Sequence, residues 1–204
     1  ISLAYILGYY AMKYEANTWI RAVLSNQSSN GMLGPDGYDG NSPDLWAKMP
    51  MLWAMQTYYE GTGDKRVLTA MEKYFLWELT IPDEQFLKGL WQEKRGGDNL
   101  WSVLWAYNRT GNESILPLVD KLHRNTSNWA MSGTLPNWHG VNIAQGFREP
   151  ATYYLYTGDE AMLQATYNNQ AEMRRRYGQM PGGMYAADEN ARHGYYDPRN
   201  GAET

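Results

Sequence analysis

The feature that most constrains the fold is a short phrase that occurs three times, in which aromatic residues precede Thr-Gly and an acid or amide. The copies span Tyr58–Asp64, Ala106–Asn112 and Tyr153–Asp159, and their threonines are 48 and 47 residues apart. This period fits two helices, and its regularity indicates a repeated structural unit. Each glycine can end a helix in the left-handed conformation, and the next residue can cap the following helix. The sequence therefore predicts a stack of helical hairpins.

The composition is that of a globular chain and excludes several kinds of partner. The 204 residues are 43% hydrophobic and 20% charged, which is enough apolar material for the core of one domain. A net charge of −4 is not the basic surface that nucleic-acid binding needs. The sequence contains no run of about 18 apolar residues, so no membrane span is predicted. The chain has no cysteine, so by itself it can form neither a disulfide nor a cysteine-based metal site.

The segments between turn signals predict seven helices, at 2–26, 44–61, 65–79, 98–110, 113–127, 140–156 and 160–177. The Thr-Gly turns are tight, whereas the connections at 27–43, 80–97 and 128–139 and the tail from 178 are long. We expect strands only as short hairpins in 128–139 or 178–204. Hairpins stacked in sequence place the tight turns at one end and the long loops at the other. Functional residues are therefore expected at the long-loop end.

The predicted helices are of two kinds. Residues 44–61 and 98–110 are apolar nearly all round, whereas 65–79 and 113–127 carry a charged stripe. Alternation of buried and amphipathic helices is typical of inner and outer rings, and so predicts an all-α (α/α)6 barrel, or α/α toroid. Such a barrel has six hairpins, of which about three and a half are present. We expect residues 1–204 to be one partial barrel domain that continues beyond residue 204 and before residue 1.

Polar residues and tryptophans lie where the inner helices are expected to begin, at the long-loop end. Planar polar side chains suit sugar hydroxyls and aromatic rings suit sugar C–H faces, so the mixture predicts a carbohydrate pocket. The alternative is structural: Asp98 and Asn99 as helix caps, Trp46 and Trp101 as core, and His139 as a satisfied loop histidine. The candidate substrate-binding residues are Trp46, Arg95, Asp98, Asn99, Trp138 and His139.

Five strings resemble, in the right order along nearly the whole chain, the β-L-arabinofuranosidase superfamily, which is glycoside hydrolase family 127 and its relatives. The most specific is the closing pair, Gly-Gly-x-x-x-x-Asp-Glu followed by Gly-x-Glu-Thr. The resemblance implies an α/α-barrel retaining glycosidase with a cysteine nucleophile on zinc, which a glutamate and three cysteines hold. The strings are Leu45–Pro50, Arg95–Leu100, His139–Gln145, Gly182–Glu189 and Gly201–Thr204.

The same resemblance implies roles for individual residues. Glu189 matches the general acid/base, Glu203 the zinc-ligating carboxylate, and His139 a histidine that contacts sugar. The next zinc ligand would fall just after Thr204 and the nucleophile further on, so we expect this stretch alone to hold an incomplete site. Near Trp46 the chain has Lys-Met-Pro where the arabinofuranosidases of known type place a sugar-binding His. That departure concerns the sugar rather than the reaction class, and the expected substrates are plant-type or other complex glycans.

The residues themselves are compatible with a retaining hydrolase, which needs one group that first protonates the leaving oxygen and then deprotonates water. Glu189 lies in a Gly-rich, partly apolar loop. Desolvation there would raise its pKa, and an ionised Asp188 would raise it further, which also makes Asp188 a candidate pocket residue. The alternative for Asp188 and Glu189 is a solvated pair in a loop.

Two other functional classes remain open at the level of sequence. A non-catalytic carbohydrate-binding or scaffold toroid would keep the aromatics and would not need Glu189 or Glu203. An inverting hydrolase or a lyase would need a second acid or a basic residue facing Glu189, for which Asp98, His139 or Tyr195 could serve. The expected partner is a carbohydrate, and a homodimer is left open. An extracytoplasmic location, periplasmic or secreted, is favoured.

Overall fold

A computed structural model describes residues 1–177 apart from Asp36, Gly40, Ser132 and Trp138. Nothing is described of the side chains of Tyr38, Asp39, Leu90, Arg176 and Tyr177. Within that part of the chain, no helix is long and apolar enough to cross a membrane.

The described residues are mainly helical, which confirms the predicted all-α class. Two short strands, β1 (Tyr38–Asp39) and β2 (Ser42–Pro43), pair antiparallel with Tyr38 opposite Pro43. This hairpin lies in the 27–43 connection, where none was expected. Of the two loops where a hairpin was expected, 178–204 lies outside the described residues. The helices are α1 Ser2–Ile6, α2 Tyr10–Ser25, α3 Lys48–Thr62, α4 Lys65–Thr80, α5 Leu90–Thr110, α6 Pro117–Asn125, α7 Gly140–Gly146, α8 Glu149–Thr157 and α9 Glu160–Tyr177, with a 3-10 turn at Glu113–Ile115.

The three Thr-Gly phrases form the same turn, as predicted. Gly63, Gly111 and Gly158 end α3, α5 and α8 with φ of 68°, 67° and 70°. In the first copy the Gly63 N–H donates to Tyr59 O over 2.7 Å, and Asp64 accepts from Arg66 N over 3.1 Å as the cap of α4. The threonine adds a contact that the sequence reading did not include, because its hydroxyl donates one turn back and accepts from the residue after the glycine.

Several predicted helix ends are wrong. The first predicted helix is broken at Gly8, whose φ is +67°. The predicted helix 113–127 begins as a 3-10 turn, and α6 starts at Pro117. The predicted helix 140–156 is broken at Phe147 and Arg148, because Pro150 occupies the first turn of a new helix, where its missing N–H costs nothing.

The largest error concerns α5, which begins at Leu90, eight residues before the predicted start at 98. The Gly96-Gly97 pair, which the sequence predicts to be loop, lies inside the helix. A Cβ on Gly97 would lie 2.8 Å from Glu149 Cβ, so this position is glycine because another helix packs against it. Arg95, Asp98 and Asn99 are therefore in the helix interior, and the expectation that they begin or cap a helix is wrong.

The chain divides into two compact units. The first contains residues 1–89 and 101–121, and the second contains residues 90–100 and those from 122 onward. The core of the first includes Leu52, Met55, Met71 and Phe75 from α3 and α4. The core of the second is built around Trp129 with Leu135, Ile143 and Met173, and Phe147 packs against it.

Candidate functional site

Trp46, in the first unit, lies just before α3 with 39% of its surface exposed. Its backbone N–H donates to Asp44 Oδ1 over 3.0 Å. The neighbouring Lys48 is buried, and its ammonium donates to Asp44 O and Pro35 O over 2.7 and 3.2 Å. Lys48 therefore ties this loop together through backbone carbonyls. Trp101 is 40% exposed, so neither tryptophan is buried in the core, and their interpretation as core residues is wrong.

In the second unit, the first half of α5 presents buried polar side chains. Arg95, Asp98 and Asn99 are 6%, 3% and 0% exposed. Polar groups at this depth must be paired to be tolerated, so their partners define the local arrangement.

Arg95 reaches α7. Its Nε donates to Asn142 Oδ1 over 2.8 Å, and its guanidinium lies 5.0 Å from the centre of the Trp91 ring. Burial lowers the pKa of Arg95, and the charge of nearby Asp98 opposes that change. The guanidinium is thus held in one orientation by an amide oxygen and an aromatic face.

His139 is the N-cap of α7. Its Nδ1 accepts from Asn142 N at 3.4 Å, and its ring meets Trp91 edge to face with centroids 4.9 Å apart. Asn137 Oδ1 accepts from both the His139 N–H and Asn142 Nδ2, each over 3.0 Å. With Nδ1 accepting, a neutral His139 carries its proton on Nε2. The structure thereby links two predicted site residues, Arg95 and His139, through Asn142.

Asp98 pairs with a residue that sequence reasoning did not single out. Arg148 Nη2, between α7 and α8, donates to Asp98 Oδ1 over 2.8 Å. Burial raises the pKa of Asp98, against the lowering influence of the hydrogen bond from Arg148 and of the charges of Arg148 and Arg95. The signal for this break in the helix was Pro150, which marks a helix start.

A second pair was also missed. Glu149, the first residue of α8, is 1% exposed, and its Oε1 lies 2.8 Å from His123 Nδ1 of α6. The two residues are 26 positions apart, and no local motif connects them. Only the Glu149-Pro150 dipeptide at a helix start could have drawn attention to the carboxylate.

The remaining predicted site residues, Trp138, Asp188, Glu189 and Glu203, lie outside the described residues, as does Tyr195. Their proximity to the α5 residues stays a prediction. Among the residues that the structure does describe, no group of three or more His, Cys, Asp or Glu side chains could hold a metal ion.

The arrangement in the second unit is suited to a polyhydroxylated ligand. We call Arg95, Asp98, Asn99, His139, Asn142 and Arg148 the α5 polar cluster. It combines two guanidinium groups, two amides, a carboxylate and an imidazole, and the Arg148 side chain is 39% exposed. Planar donors and acceptors of this kind match the hydroxyl dyads of sugars.

Comparison with known proteins is consistent with this chemistry. The model of the β-L-arabinofuranosidase GH127 catalytic domain family matches residues 2–204, a range that includes all five strings discussed above. No curated protein and no solved structure matches the chain. The match confirms the resemblance and the enzyme class, and with it a carbohydrate as substrate. The chain therefore belongs to the β-L-arabinofuranosidase GH127 catalytic domain family, a glycoside hydrolase family of α/α barrels.

Proposed function

We propose that this domain acts as a retaining hydrolase of the β-L-arabinofuranosidase type on plant-type or other complex glycans, with Glu189 as the general acid/base. The observation that carries the proposal is the family match, which spans the Gly182–Glu189 string together with the strings around Trp46, Arg95 and His139. The same match favours a hydrolase over a non-catalytic binding toroid.

The α5 polar cluster is proposed to bind the sugar. Arg148 holds Asp98 by a hydrogen bond, and Asn142 holds Arg95 by another. The groups that would contact hydroxyls are therefore already oriented before substrate arrives. Preorganised polar groups lose little entropy on binding. Trp138 is proposed to stack on a sugar ring and Asp188 to lie beside the acid/base, and Trp46 stays a candidate sugar-binding residue of the first unit.

Glu189 is proposed to donate a proton to the glycosidic oxygen as the bond to the anomeric carbon breaks, and then to remove a proton from the water that completes the reaction. Both steps use one carboxyl group, which must be protonated in the first step and ionised in the second. A pKa raised by desolvation and by an ionised Asp188 would favour this alternation near neutral pH.

Zinc and a cysteine nucleophile remain proposals from the resemblance. Of the four ligands that the family implies, this chain has only the glutamate, Glu203, and it has no cysteine. The donor set within these residues therefore does not make the implied zinc site. When bound beside thiolates, zinc would keep a sulfur nucleophile deprotonated.

The proposal is tested by Glu189→Gln in the enzyme. The change removes a proton donor at constant volume, so we expect kcat on unactivated glycosides to fall by about 10²–10⁴-fold. An aryl glycoside with a good leaving group should recover part of the loss, because its departure needs little acid assistance. Glu172→Gln is the control, since Glu172 pairs with Arg175 on the surface of α9. Full activity of Glu189→Gln on a natural substrate, or inversion at the anomeric carbon, would contradict the proposal.

A further inference from the structure

His123 is held by two residues from one face of α8. Its Nδ1 lies 2.8 Å from Glu149 Oε1, and its ring stacks on that of Tyr153 with centroids 3.8 Å apart and planes at 4°. Glu149 and Tyr153 are one helical turn apart, so both contacts come from the start of the same helix. The imidazole is therefore fixed in its plane by a carboxylate and on its face by a phenol ring.

The carboxylate is the buried member of this pair. The Glu149 side chain is 1% exposed, whereas that of His123 is 26% exposed. A carboxylate at that depth is tolerated only with a hydrogen-bond donor, and His123 Nδ1 is positioned to supply one. The position of Glu149 thus depends on His123.

Glu149 in turn contacts the helix that carries Asp98. A Cβ on Gly97 would lie 2.8 Å from Glu149 Cβ and 3.0 Å from its Cγ, so α5 and α8 approach closely at this point. The next residue of α5, Asp98, pairs with the residue before Glu149, Arg148. Two consecutive residues of one helix therefore meet two consecutive residues at the start of the other, and a shift of Glu149 would displace the Asp98–Arg148 contact.

From this geometry we infer that His123 and Glu149 are positioning residues of the glycosidase, which set the Asp98–Arg148 contact without touching substrate. The inference rests on the proposed function only in assuming that the α5 polar cluster binds sugar. The Glu149–His123 pair fixes the start of α8, and the close contact between Glu149 and Gly97 fixes α5 against it. The positions of Arg148 and Asp98 are set in this way. We call this series of contacts, from His123 through Glu149 and Gly97 to Asp98 and Arg148, the relay. No local sequence motif encodes it, because its residues come together only in the folded chain.

The test is a double-mutant cycle in the enzyme between His123→Leu and Arg148→Met. His123→Leu removes the donor and the flat ring, so we expect KM to rise about tenfold with a smaller change in kcat, since small displacements of binding groups weaken substrate positioning. In the Arg148→Met background the same substitution should change KM by less than about twofold, because the residue through which it acts is gone. His123→Gln keeps an amide donor for Glu149 and should restore part of the lost affinity.

Two further measurements make the outcome decisive. Glu172→Gln alters the surface pair with Arg175 on α9 and should leave KM unchanged in both backgrounds. If His123→Leu does not fold, Glu149→Gln replaces it in the cycle, since it weakens the same contact at constant volume. The inference is overturned if the effects on KM multiply independently, or if the variants lower the thermal midpoint while KM stays unchanged.

The thermal midpoints of the four proteins provide a readout that does not require catalysis. A non-additive shift between His123→Leu and Arg148→Met, together with the coupled change in KM, supports the positioning role even if Glu189→Gln later proves fully active. Additive shifts, together with an inactive Glu189→Gln, would leave the proposed reaction standing and reject the relay. The two hypotheses can therefore fail separately.

Discussion

The Asp98 carboxylate accepts a hydrogen bond of 2.8 Å from Arg148 Nη2, in a position where only 4% of the Asp98 side chain is exposed. Arg95, one turn earlier on α5, adds a second favourable charge. Even so, burial is the largest influence and raises the pKa of Asp98 above its ordinary value. Desolvation therefore outweighs the attraction of two guanidinium groups, and the ionised form of Asp98 lowers the stability of the folded state.

This relationship predicts how stability changes with pH. The folded state binds the Asp98 proton more tightly than the unfolded state, whose carboxyl has a pKa of about 3.9. The cost of ionised Asp98 is absent below that value and grows as pH rises through the raised pKa. We expect Asp98→Asn to gain stability relative to the parent protein as pH rises through this interval, measured by urea unfolding at a series of pH values.

Asp64 offers a control with the opposite sign. Its pKa is lowered, chiefly by the hydrogen bond from the Arg66 side chain at the start of α4. Ionised Asp64 therefore stabilises the fold above the unfolded-state pKa, and that stabilisation is lost as pH falls through its lowered value. Asp64→Asn should lose stability relative to the parent as pH rises. If the stabilities of Asp98→Asn and Asp64→Asn, each relative to the parent, changed with pH in the same direction, the opposite pKa shifts of the two carboxyls would be refuted.

Gly97→Ala should destabilise the protein, although Gly→Ala inside a helix ordinarily stabilises it by about 0.5–1 kcal/mol. The new methyl group would lie 2.8 Å from Glu149 Cβ and 3.3 Å from its Cα, and backbone at that distance cannot move aside cheaply. We expect a net loss of about 1–3 kcal/mol in the free energy of unfolding. Asn108→Ala, at an exposed position of the same helix, should be neutral or slightly stabilising. A stabilised Gly97→Ala would show that α5 and α8 are further apart.

Features encoded locally could be predicted from sequence. The Thr-Gly turns depend on residues within seven positions, and glycine, threonine and the capping acid each have one dominant use there. The interior of α5 could not be predicted in this way. Gly96-Gly97 is typical of a loop, and only the contact with Glu149, more than 50 residues away, explains glycine inside the helix.

Some residues of the candidate site could likewise be predicted from the sequence, and others could not. Arg95, Asp98, Asn99 and His139 are predicted site residues because they accompany tryptophans where inner helices are expected to begin, a mixture that suits sugar binding. Arg148, Glu149 and His123 were missed because their chemistry arises from contacts between helices that are distant in sequence. The expected position of the polar residues at a helix start was wrong, and their convergence with Glu189 and Glu203 stays a prediction. Among the described residues, Asn142 accepts from Arg95 and its backbone N–H donates to His139.

Lys121 is predicted to be a structural residue of the first unit. Its ammonium donates to the carbonyls of Glu78, Leu79 and Ile81 at the end of α4, with the side chain 7% exposed. It satisfies acceptors that the helix end leaves without intrahelical partners. Lys121→Met keeps the apolar stem and should lower the free energy of unfolding by about 2–4 kcal/mol. Chemical denaturation would measure it, and exposed Lys65→Met should change stability by less than about 0.5 kcal/mol.

The last prediction separates charge from geometry at Arg95. Arg95→Lys keeps the positive charge but loses the planar Nε–H that Asn142 accepts and the flat surface over Trp91. Because Asn142 also donates to the His139 imidazole, both predicted sugar-binding positions should be disturbed. We expect kcat/KM to fall by about 10–100-fold, mostly through KM, with the fold retained. Arg109→Lys is the matched control, since Arg109 lies 4.0 Å over Trp105 and pairs with Glu60 near a Thr-Gly turn. Equal effects of the two substitutions on KM would mean that Arg95 serves stability alone, and the α5 polar cluster would then lose its proposed place in substrate binding.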